Sequence, residues 1–122
     1  MNYINLTPHE INVFGEEVDV NGVGTGEFSQ AMTIPASGTI ARVAVKPIYC
    51  FTDAKTSVNF YRQEVGDVTG LPAKEDGVWL VVSAQVRLEL PSRSDLVSPG
   101  ELIRNAEGQP VGCKGLYINK QS

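Results

Sequence analysis

Hydrophobic residues in this chain come in short runs, and in many of these runs they alternate with polar residues, as they do in residues 18–20 and 58–61. A period of two places every second side chain on one face of a β-strand. Glycine, proline and Asn-Gly turns separate the runs at short intervals. The pattern therefore predicts a mainly β fold, a compact antiparallel sheet or barrel-like domain of short strands with one or two short helices near the C-terminal half.

Turn-forming residues predict which strands are neighbours. Asn21-Gly22 follows an alternating segment, and this dipeptide tolerates the positive φ angles of a tight hairpin turn. A second turn, at residues 35–38, separates the apolar runs 28–34 and 39–45 and predicts a second hairpin. The turn at residues 105–108 predicts a closing hairpin near the C-terminus.

The segment from Val78 to Val82 is apolar on both faces, which predicts a central strand. The next residues, 83–90, allow two readings. Their apolar residues have the period of a strand, but Ser83 is a good N-cap and Pro91 would end a short helix. The sequence leaves strand and helix open here, and the apolar series that includes Val86 is a candidate contact between subunits.

Length and composition predict one globular domain, residues 1–122. The chain has 122 residues, of which 42% are hydrophobic and 20% charged, and a chain of this size can bury a core without a disulfide or a metal. Cys50 and Cys113 lack Cys-x-x-Cys or Cys/His spacing, so we expect reduced thiols in the core. No metal site and no cofactor are predicted.

The balance of charge argues against a nucleic-acid duplex as partner. Ten Lys and Arg residues stand against fourteen Asp and Glu residues, which gives a net charge of -4, the wrong sign for a surface that must bind phosphates along a duplex. The apolar runs are too short to span a bilayer. The N-terminus has no secretory signal pattern, so a cytoplasmic location is expected, with no membrane partner.

Groups that could catalyse a reaction are few. His9 is the single histidine, which excludes sites that need two imidazoles, and its place after Pro8 favours a histidine in a turn. The acidic residues are spread over loops without the spacing of a calcium site. We therefore expect a protein that is not an enzyme.

Two arginines are the best candidates for binding a ligand. Arg93 and Arg104 lie beside turn-forming residues, with the polar neighbours Ser92 and Asn105. The planar guanidinium group suits a phosphate. The alternative for Arg93 is a pair with Asp95 that fixes the loop, and it is the commoner arrangement.

An aromatic residue and a glycine complete the candidate site. Trp79 could stack on a base, although aromatic residues in strands more often pack in the core. Gly24 lies in a G-x-G-x-G segment that opens no helix, so it does not fit a dinucleotide-binding loop. The segment could act as a flap over a ligand or simply as a flexible hairpin end.

Several stretches of the sequence resemble a known group of proteins. They include the opening Ile4 to Val13 with its Leu-Thr-Pro-His-x-Ile motif, the run from Pro35 to Val43, the segment from Gly70 to Ser83, and Arg93 to Gly100. These stretches, roughly half of the chain, resemble a family of small phage and prophage proteins. The chain is also similar to the Thoeris anti-defence sponges, small phage proteins that sequester cyclic ADP-ribose-type and cyclic oligonucleotide signals of bacterial immunity.

This resemblance implies a homo-oligomer of β-rich subunits, with short helices between protomers and ligand pockets at the interfaces. Such pockets would contain arginine, polar loop residues and an aromatic residue. Our leading hypothesis is a non-enzymatic phage protein in the cytoplasm of an infected bacterial host that sequesters a phosphorylated cyclic nucleotide-type molecule. The alternative is a small structural or accessory phage protein that acts through its oligomeric surface, and a hydrolase ranks last because no catalytic spacing supports it.

Overall fold

The structure, a computed structural model, describes residues 2–119. Eight strands and one short helix follow one another in this part of the chain. They are β1 (Asn2–Asn5), β2 (Ile11–Val18), β3 (Gly24–Ile34), β4 (Arg42–Thr52), β5 (Asn59–Thr69), β6 (Val78–Val81), α1 (Ala84–Glu89), β7 (Leu96–Arg104) and β8 (Pro110–Ile118). No helix within this range is long and apolar enough to span a membrane.

Six of the strands form one sheet, in the order β1-β6-β7-β8-β2-β3, and β4 pairs with β5 in a second sheet. The predicted mainly β class is confirmed. The large sheet is mixed: β1 and β7 both run parallel to β6, and β2 runs parallel to β8. Parallel neighbours need long crossovers, and α1 lies in the crossover from β6 to β7.

The sheet carries one hydrophobic cluster on each face. Leu80 and Leu96 belong to a cluster with Leu6, Ala41, Val82 and Val86. Their neighbours Val81 and Val97 belong to the other cluster, with Val13, Ile34 and Cys113. Successive residues of a strand point to opposite faces, so β6 and β7 supply both clusters. The prediction of a central strand at Val78 to Val82 is confirmed, with β6 hydrogen-bonded to β1 and β7.

The ambiguous segment after β6 is a helix. The Ser83 side chain accepts a hydrogen bond from the Val86 N–H at 3.3 Å, and the helix ends before Pro91. Helical spacing buries Val86, which is 1% exposed, and leaves Leu88 on the outside, 64% exposed. The Val86 side chain cannot form the expected contact between subunits, because it lies in the core of its own chain, whereas a contact through the exposed Leu88 stays a prediction.

The Leu-Thr-Pro-His stretch is a turn held by Asn5. The buried Asn5 amide donates to the His9 carbonyl at 2.8 Å and to the Ile34 carbonyl at 3.1 Å. Its oxygen accepts from the N–H and the hydroxyl of Thr7. His9 is exposed, so its placement agrees with the expected histidine in a turn.

Strands β4 and β5, with the turn of residues 53–58 between them, form a long two-stranded hairpin that we call the ribbon arm. Its base is anchored because Val43 and Val68 pack against the cluster of Leu6 and Leu80. The predicted hairpin of segments 28–34 and 39–45 is wrong, since β3 pairs with β2 and β4 pairs with β5.

The two cysteines differ in their environment. Cys113 is buried, as expected, but Cys50 is exposed on the ribbon arm. The register of β4 against β5 shifts between Tyr49 and Phe51, so Cys50 occupies a β-bulge. The expectation of a core thiol is wrong for Cys50, because this part of β4 lies beyond the anchored base of the arm and is exposed.

Candidate functional site

The residues predicted to bind a ligand lie at two ends of the large sheet. Ser92 and Arg93 precede β7, whereas Arg104 ends it and Asn105 follows. A nine-residue strand at a rise of about 3.3 Å per residue puts the two arginines on the order of 25 Å apart. Trp79, in β6, lies at the Arg93 end, because Leu80 pairs in parallel with Leu96. Within one subunit the two arginines do not share a site.

Arg93 is engaged by Asp95. Its Nε and Nη2 donate to the two carboxylate oxygens of Asp95 at 2.9 and 2.8 Å, and Nη2 also donates to the Pro72 carbonyl at 3.1 Å. The hydrogen bonds from Arg93 hold the pKa of Asp95 below its ordinary value, although burial acts in the opposite direction. This is the loop-fixing pair that the spacing of the two residues suggested.

Arg104 and Asn105 shape the turn between β7 and β8. The Arg104 Nη1 donates to the Gly108 carbonyl at 2.8 Å. The Asn105 side-chain oxygen accepts from the N–H groups of Glu107 and Gln109, both at 3.0 Å. Arg104 is exposed, so it is the more accessible of the two candidate arginines.

A small cleft of about 200 Å³ lies beside Trp79. It is lined by Lys74, Glu75, Asp76, Gly77, Val78, Trp79, Ser94 and Asp95. The Lys74 ammonium donates to the Ser94 hydroxyl at 2.8 Å. Asp95 is already paired with Arg93, and the remaining Glu75 and Asp76 outnumber Lys74, which disfavours an anion. The volume is also below the roughly 300–1,000 Å³ that is usual for small-molecule sites. The cleft can serve only as part of a larger site. Trp79 is half-buried and packs against the cluster of Val81 and Val97.

The glycine segment of the β2–β3 hairpin faces a carboxylate of its own chain. Glu16 accepts a hydrogen bond from the Gly26 N–H at 2.9 Å. The same carboxylate lies where a Cβ atom on Gly24 would be. An incoming anion would have to displace Glu16 from this segment, which disfavours Gly24 as an anion contact.

A buried polar network holds α1 to the sheet, and the sequence pattern gave no sign of it. The Arg87 Nε donates to the Ser98 hydroxyl at 2.8 Å, and its Nη1 donates to the Asn119 side-chain oxygen at 3.2 Å. The Asn119 amide then donates to the Leu90 and Arg93 carbonyls, both at 3.0 Å. These groups satisfy one another, which indicates a structural role.

Two observations concern metal-binding and nucleophilic side chains in the described part of the chain. Residues 2–119 contain no group of three or more His, Cys, Asp or Glu side chains that could hold a metal ion. Burial raises the pKa of the Cys113 thiol, which lowers the fraction present as the nucleophilic thiolate.

The ribbon arm is the largest feature that the packing of one subunit leaves unexplained. On one face the rings of Tyr49 and Tyr61 meet edge to face, with centroids 6.1 Å apart. On the opposite face the rings of Phe51 and Phe60 stack at 4.6 Å. All four side chains are between 46% and 58% exposed. Because a two-stranded hairpin alone is marginally stable in water, we identify the arm as the candidate functional surface.

Comparison with known proteins adds no family assignment: no protein-family model, no curated protein and no solved structure matches the chain.

Proposed function

We propose that the protein is a non-enzymatic assembly protein, which acts as a homo-oligomer whose subunits meet through the ribbon arm. The observation that carries the proposal is the exposure of four aromatic side chains on the arm, Tyr49, Phe51, Phe60 and Tyr61. Aromatic residues are enriched at the cores of protein interfaces. Phe60 and Tyr61 are adjacent in β5, so the two aromatic pairs lie on opposite faces of the arm. Exposed apolar surface of this kind, here on both faces, marks a place where another molecule binds.

The valines of the arm support the same conclusion. Val45 and Val65 are directly opposite each other in the ribbon and are 41% and 44% exposed. They share a face with Tyr49 and Tyr61, since these pairs are separated by an even number of positions along the ribbon. An apolar stripe therefore runs along the middle of the arm on this face, and covering it would remove this surface from water.

A second candidate function is the sequestration of a phosphorylated cyclic nucleotide-type signal, which the resemblance to anti-defence sponges implies. Arg93 and Arg104 lie at opposite ends of β7, so a site containing both would form only between subunits. The small cleft beside Trp79 would likewise need a neighbouring subunit to reach the size of a nucleotide site. Both candidate functions therefore require assembly. Both also suit a small phage or prophage protein, as the resemblance implies.

Two measurements test these functions. Light scattering of the purified protein at micromolar concentration should return a mass of at least two subunits, and one subunit mass would contradict both candidates. The assembled protein is then incubated with cyclic ADP-ribose isomers and with cyclic oligonucleotides, washed and heated. Intact ligand in the released fraction supports a sponge, no ligand supports a structural or accessory role, and a cleaved product contradicts the non-enzymatic assignment.

If a ligand is retained, Arg104→Ala should weaken its binding about ten- to a hundred-fold, the effect of losing a hydrogen bond to a charged group. Calorimetry measures this change. Lys55→Ala, which removes a charge from the exposed turn of the ribbon arm, is the matched control and should bind like the wild type. If Arg104→Ala binds the ligand as tightly as the wild type, Arg104 does not contact the ligand and serves only to shape the turn.

A further inference from the structure

The two long edges of the ribbon arm are not equivalent. Among residues 2–119, β5 pairs with β4 and with no other strand, so its outer edge is open. An open edge presents a row of main-chain donors and acceptors that can pair with another strand. The outer edge of β4 is interrupted at Pro47, which has no N–H, whereas β5 contains no proline.

The position of Pro47 shows which groups of β5 point outward. Pro47 lies opposite Gln63. A proline inside a hairpin is accommodated where its N–H would point away from the neighbouring strand, and the main-chain groups of the residue opposite then point away as well. The N–H and C=O of Gln63 therefore face the open edge of β5, as do those of Tyr61 and Val65, two positions before and after it.

The residues before Gln63 in β5 match the residues after it in charge and shape, so that β5 can pair with a second copy of itself. In an antiparallel pair of two β5 strands related by a two-fold axis at Gln63, residues equally far before and after Gln63 lie opposite each other. Arg62 then faces Glu64 of the second copy, and this ion pair occurs twice. Tyr61 faces Val65, an aromatic and β-branched pair that stabilises a sheet. The regular pairing extends from Tyr61 to Val65, because the register of β5 shifts between Val65 and Val68.

We propose that two copies of this chain join through their β5 edges in this register, so that the two ribbon arms form one four-stranded antiparallel sheet, β4-β5-β5-β4. The proposal rests on the proposed function, in which the arm carries assembly. It adds the edge that is used, the two-fold symmetry and the residue at the axis. Arg62 and Glu64 are exposed and form no ion pair among the described residues, although Lys46 lies opposite Glu64 across the ribbon, so both can form pairs with the second copy.

Other registers are less favourable. Opposing residues must place their side chains on the same face of the sheet, and in one strand this holds for residues an even number of positions apart. The two-fold axis must therefore pass through a residue and not between two residues. An axis at Arg62 or Glu64 would place like charges directly opposite each other, which destabilises a sheet. An axis at Tyr61 or Val65 would break both Arg62–Glu64 pairs. The axis at Gln63 is the one that opposes unlike charges.

Charge reversal tests this register. In the Arg62→Glu dimer, the glutamate at position 62 of each copy faces Glu64 of the other copy and repels it. In the Glu64→Arg dimer, Arg62 of each copy faces the arginine at position 64 of the other copy. Each variant alone should dimerise about ten-fold or more weakly than the wild type. An equimolar mixture of the two should recover wild-type affinity, because every opposing pair is then of unlike charge. Sedimentation velocity measures all three.

The control is Lys55→Glu, which makes the same change of net charge in the turn of the arm and should leave dimerisation unchanged. The mixture also separates repulsion from misfolding, because two misfolded variants would not restore each other. The proposal is overturned if Arg62→Glu alone dimerises as tightly as the wild type, or if the mixture dimerises no better than either variant.

A cross-link tests the position of the axis. In a Cys50→Ser background, Gln63→Cys places two thiols on residues whose Cα atoms would lie about 5.5 Å apart, within the range for a disulfide. Mild oxidation should yield a covalent dimer much faster than Gln85→Cys on the exposed side of α1 in the same background. Equal rates for the two variants would refute the register.

These outcomes separate the register from the proposed function. If the wild type is oligomeric while Arg62→Glu has no effect, assembly uses another surface and the β5 seam is wrong. If the wild type is monomeric at micromolar concentration, both proposals fail.

Discussion

Asp95 is a buried carboxylate, 4% exposed, and Arg93 compensates its charge with two hydrogen bonds. Arg93→Ala would leave the carboxylate buried without its charged partner, so we expect the free energy of unfolding to fall by about 2–3 kcal/mol. Urea unfolding measures the loss. Arg104→Ala is the control, because its exposed side chain bonds one turn carbonyl and its removal should cost less than about 1 kcal/mol. Similar losses for both variants would contradict this account of Asp95.

The same pair predicts a pH dependence. Arg93 lowers the pKa of Asp95 in the folded state, so the pair stabilises the fold above the unfolded pKa of about 3.9, and this stabilisation is lost as the pH falls through the lowered folded pKa. In Arg93→Ala, burial, which raises the pKa of Asp95, is opposed only by a backbone hydrogen bond and the charge of Lys74, both smaller effects, so the pKa should rise and acid relieves the penalty. The difference in unfolding free energy between wild type and variant should be largest at neutral pH and shrink below about pH 4. A difference that stays constant with pH would show that the charge of Asp95 is not its cause.

Individual residues could be predicted from the sequence where the interaction is local. Arg93 and Asp95 are two positions apart, and their pairing was visible as one of two alternatives. The network of Arg87 joins residues that are distant along the chain, Ser98 and Asn119, and nothing in the local pattern marks it. Cys50 was misplaced for the same reason, since burial depends on which elements cover a strand.

At the scale of elements, the loop from β5 to β6 contains two glycines with the same backbone conformation and different surroundings. Gly70 has φ +79° and Gly77 has φ +75°. A Cβ atom on Gly70 would collide with the Ile40 carbonyl, whereas nothing lies within 4 Å of one on Gly77. We expect Gly77→Ala to lose about 1 kcal/mol from backbone strain, and Gly70→Ala to lose clearly more, because strain and a clash with backbone add. Thermal unfolding of the two variants compares them, and equal losses would refute the role of Ile40.

The sequence predicted elements best where capping and turn residues act locally. Ser83 and Pro91 correctly bound α1, although the period of the apolar residues favoured a strand. The apolar run 39–45 marked only part of β4, which extends through Pro47 to Thr52. The strand continues through Pro47 because this residue lies on an outer edge, where no N–H is needed by β5.

At the scale of the whole molecule, the order of strands in the sheet could not be predicted from the sequence. The pattern of turns suggests neighbours that are consecutive, but β1 pairs with β6, and β2 pairs with β8 as well as with β3. These pairings depend on burying two faces of one sheet at once, a property of the complete chain. The exposed stripe of the ribbon arm has the same origin, since its alternating residues predict a strand without saying what covers it.

Assembly through the arm should couple folding to protein concentration. If subunits associate through the ribbon arm, native subunits are stabilised by binding one another, and the midpoint of urea unfolding rises with concentration. For a dimer, each ten-fold increase in chain concentration adds about 1.4 kcal/mol per mole of dimer. Fluorescence of Trp79, the single tryptophan, can follow unfolding because this side chain packs in the body of the subunit. A midpoint that stays constant over a hundred-fold range of concentration would mean that the arm is stable uncovered, and that its aromatic residues serve something other than self-assembly.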